Sequence, residues 1–376
     1  MEIINDNILK GIQECFPKPC FECFGQVSFD DRALYYWTAK EYFTGAGTIV
    51  DAGALVGSTS MCFGYGINDN EKDFLKADVR IHVYDLFSDD NDGYSADSIR
   101  NAYYEQKTDI ELYDFEHHFR RNTQSIEEYL EIHKGDITKI GYTSDKPIEI
   151  LSIDVAKTPA LMHYVATEFY PKLIPGHSLV LHQDFLFPYQ PWLHVAQYML
   201  EEYFDRIYDV PTQCTTLFKL KKPITKENVL GILGENLTDY YKPDNARYIQ
   251  KSFEQSRQPI GELVVKGAYL YFYFMQGDIA KAQKLIPELY SESDLEYIRQ
   301  DSALREQLLQ QLLLNHLQID ILKDSFKINE PNQKEDNKNE IDEKANQFLR
   351  TRQRIINILL PLHSRRRAVI KKIMGR

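Results

Sequence analysis

The sequence predicts an α/β protein built on a doubly wound, mostly parallel seven-stranded sheet with a C-terminal helical extension. Three observations carry that expectation. An apolar β-branched run at 48–50 passes through a glycine turn (Gly53, Gly57) into a helix opened by Ser58, Thr59 and Ser60. This is the ligand end of an open α/β sheet. Short apolar strands then alternate with helical stretches five times, and two further strands about one tight turn close the sheet. Acids stand at the carboxyl ends of the strands (Asp51, Asp85, Asp136, Asp154, Asp184), where such sheets bind ligands.

Composition bounds the rest. A chain of 376 residues is long for one average domain, so one large domain with an appendage is expected. Its 43% of hydrophobic residues suffices for an ordinary core. No 18-residue apolar run occurs, and Met1-Glu2-Ile3 opens no signal peptide, so an intracellular, cytoplasmic protein is expected. The net charge of −12 is unevenly spread: residues 344–376 hold ten Lys and Arg and no acid, which leaves −22 on the remainder. An acidic body argues against nucleic acid as partner. Cys15, Cys20 and Cys23 are close together, but no second pair lies near to complete a zinc set, so they read as reduced thiols.

In chain order, residues 1–28 read as irregular because Pro17, Pro19 and Gly25 interrupt any helix. A helix follows from Asp30, with Leu34, Trp37, Ala39 and Phe43 at near-helical spacing up to Gly45. Its Tyr36 and Lys40 make a Tyr-x-x-x-Lys pair, but one that precedes the first strand and so reads as a helix face. Strand two spans 80–84 and ends at Asp85, placed to accept hydrogen bonds from the ribose of an adenosine cofactor. The acidic loop 88–93 fails as a calcium site, with Ser88 and Ile99 at its first and twelfth positions. Asp90 and Asp92 form the Asp-x-Asp found in nucleotide-sugar glycosyltransferases. Residues 95–128 read as a helical insertion covering the cleft. Strand three, at 129–133, leads to Asp136. Strand four, Ile148–Ile153, ends at Asp154, and Thr158-Pro159 caps the next helix. Strand five, at 178–181, ends at His182-Gln183-Asp184. A helix at 191–203 and strands near 206–210 and 215–220 complete a domain expected over 29–222.

The extension, 223–327, contains a helix–turn–helix pattern around Gly277-Asp278 that is similar to one tetratricopeptide unit. A single unit cannot bury its own face, so it must pack on the main domain or on a partner. A polar linker at 328–344 leads to a basic amphipathic tail at 345–376, with Phe348, Ile355, Ile356, Leu359 and Leu360 on one side and Arg365, Arg366, Arg367, Lys371 and Lys372 beyond.

What does the turn hold? Dinucleotide folds place glycine where Asp51 stands, and a carboxylate there repels phosphate but suits an ammonium or sulfonium group. S-adenosylmethionine (SAM) carries both cations. The pattern Asp-x-Gly-x-x-x-Gly at 51–57 resembles the first motif of class I SAM-dependent methyltransferases. Together with Leu34-Tyr-Tyr-Trp37, Tyr84-Asp-Leu-Phe87, Ile153-Asp-Val-Ala-Lys157 and His182-Gln-Asp184, the chain is similar to the macrocin O-methyltransferase-like group over about 30–220. That resemblance implies a SAM-dependent O-methyltransferase acting on a small polar acceptor such as a sugar or glycoside. It implies that Asp51, Gly53, Gly57 and Ser58 hold the methionine end, Asp85 with Leu86 the ribose, and Asp136 the adenine. It also implies a divalent metal such as magnesium on Asp154 and Asp184, with Gln183 standing where an acid is usual.

If strand five stays extended through 184, alternation puts His182 and Asp184 on one side and Gln183 on the other. Asp154, His182 and Asp184 then form one cluster facing the acceptor, and both a metal and a His182 base remain open as routes to deprotonation. A nucleotide-sugar glycosyltransferase using Asp90 and Asp92, or a non-catalytic scaffold of the same fold, are the competing readings. For the tail, docking on a protein and contact with an anionic membrane are both expected. The membrane version predicts salt-sensitive association of the full chain with acidic vesicles, and its loss on truncation near residue 330. Equal flotation of both chains would remove it.

Overall fold

The computed structural model describes residues 4–88, 115–301 and positions 304, 305, 307, 308, 312, 316 and 317, with 73, 75, 212 and 236 excepted. It comprises two compact units, residues 1–86 with 118–320, and residues 87–117 with 321–376. In the second unit Phe115 donates its N–H to the Phe87 carbonyl at 3.0 Å. The acidic loop with Asp90 and Asp92, most of the expected insertion, the linker and the basic tail lie outside the described residues.

The first unit holds a seven-stranded sheet: β1 (Thr48–Ala52), β2 (Ile81–Asp85), β3 (Leu130–Lys134), β4 (Ile148–Ile153), β5 (Leu179–His182), β6 (Phe204–Asp209) and β7 (Thr216–Leu220). Their order is β3-β2-β1-β4-β5-β7-β6. All neighbours are parallel except β7, which runs antiparallel to both β5 and β6. This is the expected doubly wound sheet with its terminal hairpin. The order reverses between β1 and β4, and a crevice opens at the carboxyl ends of strands on either side of such a point. β1 and β4 are buried along their whole length, which is why they read as nearly continuous apolar runs.

The helices are α1 (Asp6–Glu14), α2 (Lys18–Glu22), α3 (Phe29–Trp37), α4 (Ser58–Asn68), α5 (Glu116–Asn122), α6 (Ile137–Ile140), α7 (Pro159–Glu168), α8 (Pro191–Met199), α9 (Lys226–Leu233), α10 (Ala246–Glu254), α11 (Pro259–Met275), α12 (Ile279–Leu289) and α13 (Glu292–Gln300). Register shows which cover which face. Asp51 and Ser152 are partners across β1 and β4, and they meet α4 and α3 through Thr59, Ser60 and Tyr35. Ile153 and His182, one residue out of phase with Ser152, face the α7–α8 side, where Tyr170 and Gln197 stand.

The expected irregular segment at 1–28 is corrected by α1 and α2. Asn5 caps α1, accepting from the N–H groups of Asn7 and Ile8 at 3.0 Å. Pro17 is the N-cap of α2 and Pro19 lies in its first turn, where a missing N–H costs nothing, so the prolines start a helix instead of ending one. What holds this segment down is Arg32, buried in α3. Its guanidinium donates to the carbonyls of Val27 (3.0 Å), Cys20 (3.0 Å), Phe21 (3.1 Å), Cys23 (2.6 Å) and Gly25 (3.2 Å). The Gly25 backbone in turn lies over Ser58 at the head of α4, so close that a Cβ would fall 2.0 Å from Ser58 Oγ.

The extension packs on the main domain. Gly277 takes φ +81° in the turn between α11 and α12, and Asp278 caps α12 through the Lys281 N–H at 3.1 Å. Gly267 of α11 lies against Pro188 and Leu308, with no room for a Cβ. The Tyr271 ring meets that of Tyr189 edge-on at 5.1 Å. Beneath α10, buried Arg206 grips Asp209 through two bonds of 2.8 Å and donates to the Ser252 carbonyl at 2.8 Å.

Replacing Arg32 with Met leaves several part-buried carbonyls without a donor. Arg32→Met should lower unfolding free energy by about 3 kcal/mol, measured by urea denaturation. A loss below about 0.5 kcal/mol would mean that solvent takes over those carbonyls.

Candidate active site

The strand ends are locked to one another just past the last paired residue. Gly53 N–H donates to Tyr84 O (2.8 Å), Gly135 N–H to Asp85 O (2.9 Å), Asp154 N–H to Ala52 O (2.8 Å) and Gln183 N–H to Ile153 O (3.1 Å). Gly53 has φ +97°, and a Cβ there would lie 2.9 Å from the Asp154 carbonyl carbon. The close approach of the two chain segments therefore demands glycine. Gly57, at φ +100°, is the left-handed N-cap of α4 and has Thr123 and Phe119 against it. Leu55 between them also has positive φ (49°), an uncommon conformation for a branched side chain. Its N–H is held by Asp85 Oδ2 at 2.8 Å.

Asp51 does not stand open at the mouth of the turn, as its position in sequence suggested. It is 1% exposed, and its Oδ2 accepts from Thr59 Oγ1 (2.7 Å) and Ser60 Oγ (2.6 Å) at the start of α4. Burial raises its pKa from the ordinary carboxyl value, opposed by the hydroxyls of Ser60, Thr59 and Ser152. Among the described residues Oδ1 has no hydrogen bond of good geometry, although Ser152 is near enough to favour the charged form. Ser58 is likewise buried, under the Gly25 backbone. Asp85 is half-buried on the rim, and Leu86 beside it is exposed. Asp136, after β3, caps α6 by accepting from the Thr138 N–H (3.0 Å) and hydroxyl (2.7 Å). Those bonds to Thr138 hold its pKa below the ordinary value.

The residues after β4 and β5 do converge, but around a side chain that sequence reasoning passed over. Lys157 Nζ is paired with both Asp154 Oδ1 and Asp184 Oδ2. Gln190 Nε2 donates to Asp184 Oδ2 at 2.6 Å. Trp192 Nε1 pins the intervening loop through the Ala156 carbonyl at 2.8 Å. Burial pushes Asp154 up to about 7, against the pull of Lys157 and with the push of Asp184. Its side chain is 27% exposed, so water softens that shift. Lys157 is desolvated in part, yet the two carboxylates prevail and hold its pKa above the usual value.

This arrangement changes two expectations. The divalent metal on Asp154 and Asp184 does not fit: an ammonium already spans both carboxylates and supplies the charge a cation would bring. The cluster of Asp154, His182 and Asp184 is not formed either. β5 ends at His182 and the chain turns from Gln183, so alternation no longer applies. His182 is 0% exposed, with Nε2 3.0 Å from the Tyr170 hydroxyl and Phe185 and Phe218 about its ring. Gln183 points the other way, its Oε1 accepting from the buried Tyr35 hydroxyl at 2.8 Å, which also accepts from Ser152 Oγ at 3.3 Å. An amide oxygen suits that partner without placing another charge among Asp51, Asp154 and Asp184.

No protein-family model and no curated protein matches the chain. Among solved structures it is similar to the O-methyltransferase NovP at 16% identity and a TM-score of 0.36, covering 57% of this chain and 79% of that one. It is similar to the O-methyltransferase TomG from Streptomyces achromogenes, involved in tomaymycin synthesis and solved with SAM, at 15% identity and 0.34, covering 59% and 92%. The SAH-bound Podospora anserina methyltransferase PaMTH1 gives 13% and 0.33, covering 59% and 90%. The fold class of this chain rests on its own strand order.

Burial holds His182 near 3, well below its ordinary value. A histidine kept neutral in the fold but free to charge near 6.5 when unfolded contributes stability above 6.5 that is lost as pH falls toward 3. The loss approaches about 1.4 kcal/mol per pH unit, and buried His194 is shifted in the same direction. Urea denaturation between pH 7 and pH 4 should show this slope, and His182→Gln should make it shallower. An unchanged slope in the variant would place the acid sensitivity elsewhere.

Proposed function

We propose that this chain is a SAM-dependent O-methyltransferase acting on a hydroxyl of a small polar acceptor such as a sugar or glycoside. The observation that carries the reading is a carboxylate-rich switch point: Asp51 beneath the glycine turn, Asp85 on its rim, and Asp154 against Gly53. Acids in these places favour an ammonium or sulfonium group and disfavour pyrophosphate. The residues fit such a cofactor. The turn is a cradle that any Cβ at Gly53 would fill, and Asp51 Oδ1 remains available to a donor. Gly53, Gly57 and Ser58 form the wall for the methionine end, with Asp51 lending its charge through the head of α4. Asp85 with Leu86 takes the ribose, and Asp136 the adenine edge.

When bound, SAM would supply an electrophilic methyl group to the acceptor oxygen, its carbon–sulfur bonding pair staying on sulfur. The chain must align the acceptor in line with that bond and take the hydroxyl proton. Asp154 is the proton acceptor in this reading, because it stands against the Gly53 turn and burial raises its carboxyl above the ordinary value toward the working pH of a general base. Lys157, held charged between Asp154 and Asp184, fixes both carboxylates and offers an N–H to the acceptor. Buried His182 takes no part.

Calorimetry should show SAM and its demethylated product binding the purified chain, and UDP-sugars and NAD failing to bind. Asp85→Ala should weaken SAM by roughly 10–100-fold through loss of charge-assisted hydrogen bonds. Unaltered affinity in that variant would remove the ribose assignment. With an acceptor in hand, kcat should rise with pH as Asp154 ionises, with a midpoint above the ordinary carboxyl value and no higher than about 7, since Lys157 stays protonated on both sides. Asp154→Asn should lower kcat on the order of 100-fold or more. A flat profile, or an active Asp154→Asn enzyme, would assign the base to another group.

A further inference from the structure

A second cluster of ligating side chains lies on the outer strands, and it shares no residue with the switch point. Register pairs His82 of β2 with Glu131 of β3, and Tyr84 with His133. Residues 82 and 84, and 131 and 133, therefore share one face of the sheet. The His82 and His133 rings lie nearly parallel, centroids 5.3 Å apart and 10° between planes, and Tyr84 stacks on His133 at 4.5 Å. That stacking fixes the ring planes and brings His82 Nδ1 to 3.0 Å from His133 Nε2. Glu131 reaches both, one carboxylate oxygen 3.7 Å from His82 Nδ1 and the other 3.7 Å from His133 Nε2.

We propose that His82, Glu131 and His133 form a binding site for one divalent transition-metal ion of the zinc class. The donor set is two imidazole nitrogens and one carboxylate, which suits zinc, cobalt and nickel and not magnesium or calcium. One ligand atom from each of the three residues lies within 4.8 Å of the others, against a tetrahedral edge of about 3.4 Å when metal–ligand bonds are about 2.1 Å. An ion would replace the contact between the two ring nitrogens and draw in one oxygen of the exposed Glu131 carboxylate. Three protein donors leave a fourth position for water. Glu131 is 47% exposed while both rings are largely covered, so the cluster is reached from the surface through its carboxylate. Functionally, such an ion clips the edge strand β3 to β2. Those strands carry Asp85 and lead into Asp136.

The test uses the full-length, tag-free protein, stripped with a chelator, dialysed and titrated with zinc chloride and cobalt chloride. The wild type should take up one equivalent of zinc. It should give the intense visible bands of four-coordinate cobalt and unfold at a higher temperature with zinc present. Glu131→Gln and His133→Gln should each weaken zinc by at least the 10–100-fold that even outer-shell losses cause, and should lose the thermal shift. Glu131 is half exposed, so Glu131→Gln decides the matter alone if His133→Gln fails to fold. Asp184→Asn should keep the zinc affinity of the wild type, which separates this site from the acids of the switch point. A wild type that takes up no zinc at micromolar concentration overturns the proposal, as does a Glu131→Gln chain that binds it equally well.

Discussion

The structure depends on four backbone hydrogen bonds that carry the parallel ladder one residue beyond the ends of its strands. Through them Gly53, Gly135, Asp154 and Gln183 each hang on a carbonyl of a neighbouring strand. The consequence is that the exits of β1 to β5 hold fixed mutual positions before any side chain is considered. Two of these positions require glycine: the Asp154 backbone occupies the space a Cβ at Gly53 would need, and Gly135 takes φ +132°. A crevice assembled on backbone bonds tolerates side-chain variety around it. That is the property by which a single sheet topology can serve different ligands.

Charge at the crevice is arranged by pairing, with one deliberate imbalance. Away from it, Arg206 and Asp209 grip each other through two bonds, and buried Glu149 takes the N–H groups of Thr44 and Gly47 at 2.6 and 3.1 Å. Around the switch point, Asp51, Asp154 and Asp184 outnumber Lys157. The excess negative charge is what a cationic ligand would neutralise. Burial, with the push of Asp184, also holds the Asp154 carboxyl above its ordinary value, against the pull of Lys157.

Most of the sheet was legible because its signals are local. Strand boundaries read from β-branched runs fall within two residues of those observed, and Thr158-Pro159 caps α7 as its chemistry requires. The turn at Gly277-Asp278 was equally plain. The errors came from contacts that no local pattern encodes. Pro17 and Pro19 look like breakers unless one knows that α2 begins there. Arg32 leaves no trace in sequence because its partners are carbonyls, which every residue possesses. His182 was misplaced because alternation was carried past the last paired residue of β5. Lys157 stands three residues after Asp154, a visible spacing, but its bond to Asp184 joins separate strands and emerges only once β4 and β5 lie side by side.

Trp192 adds an optical consequence. The chain has two tryptophans, both buried, and the indole N–H of one is bonded to the carbonyl of Ala156, next in sequence to Lys157. The emission maximum of an indole follows the polarity and hydrogen bonding at that nitrogen. A shift of the 155–157 loop that stretches this bond would change the colour of the protein's own fluorescence. With Trp37 replaced by Phe, the remaining tryptophan would report the arrival of a ligand beside Lys157 in real time, without any label.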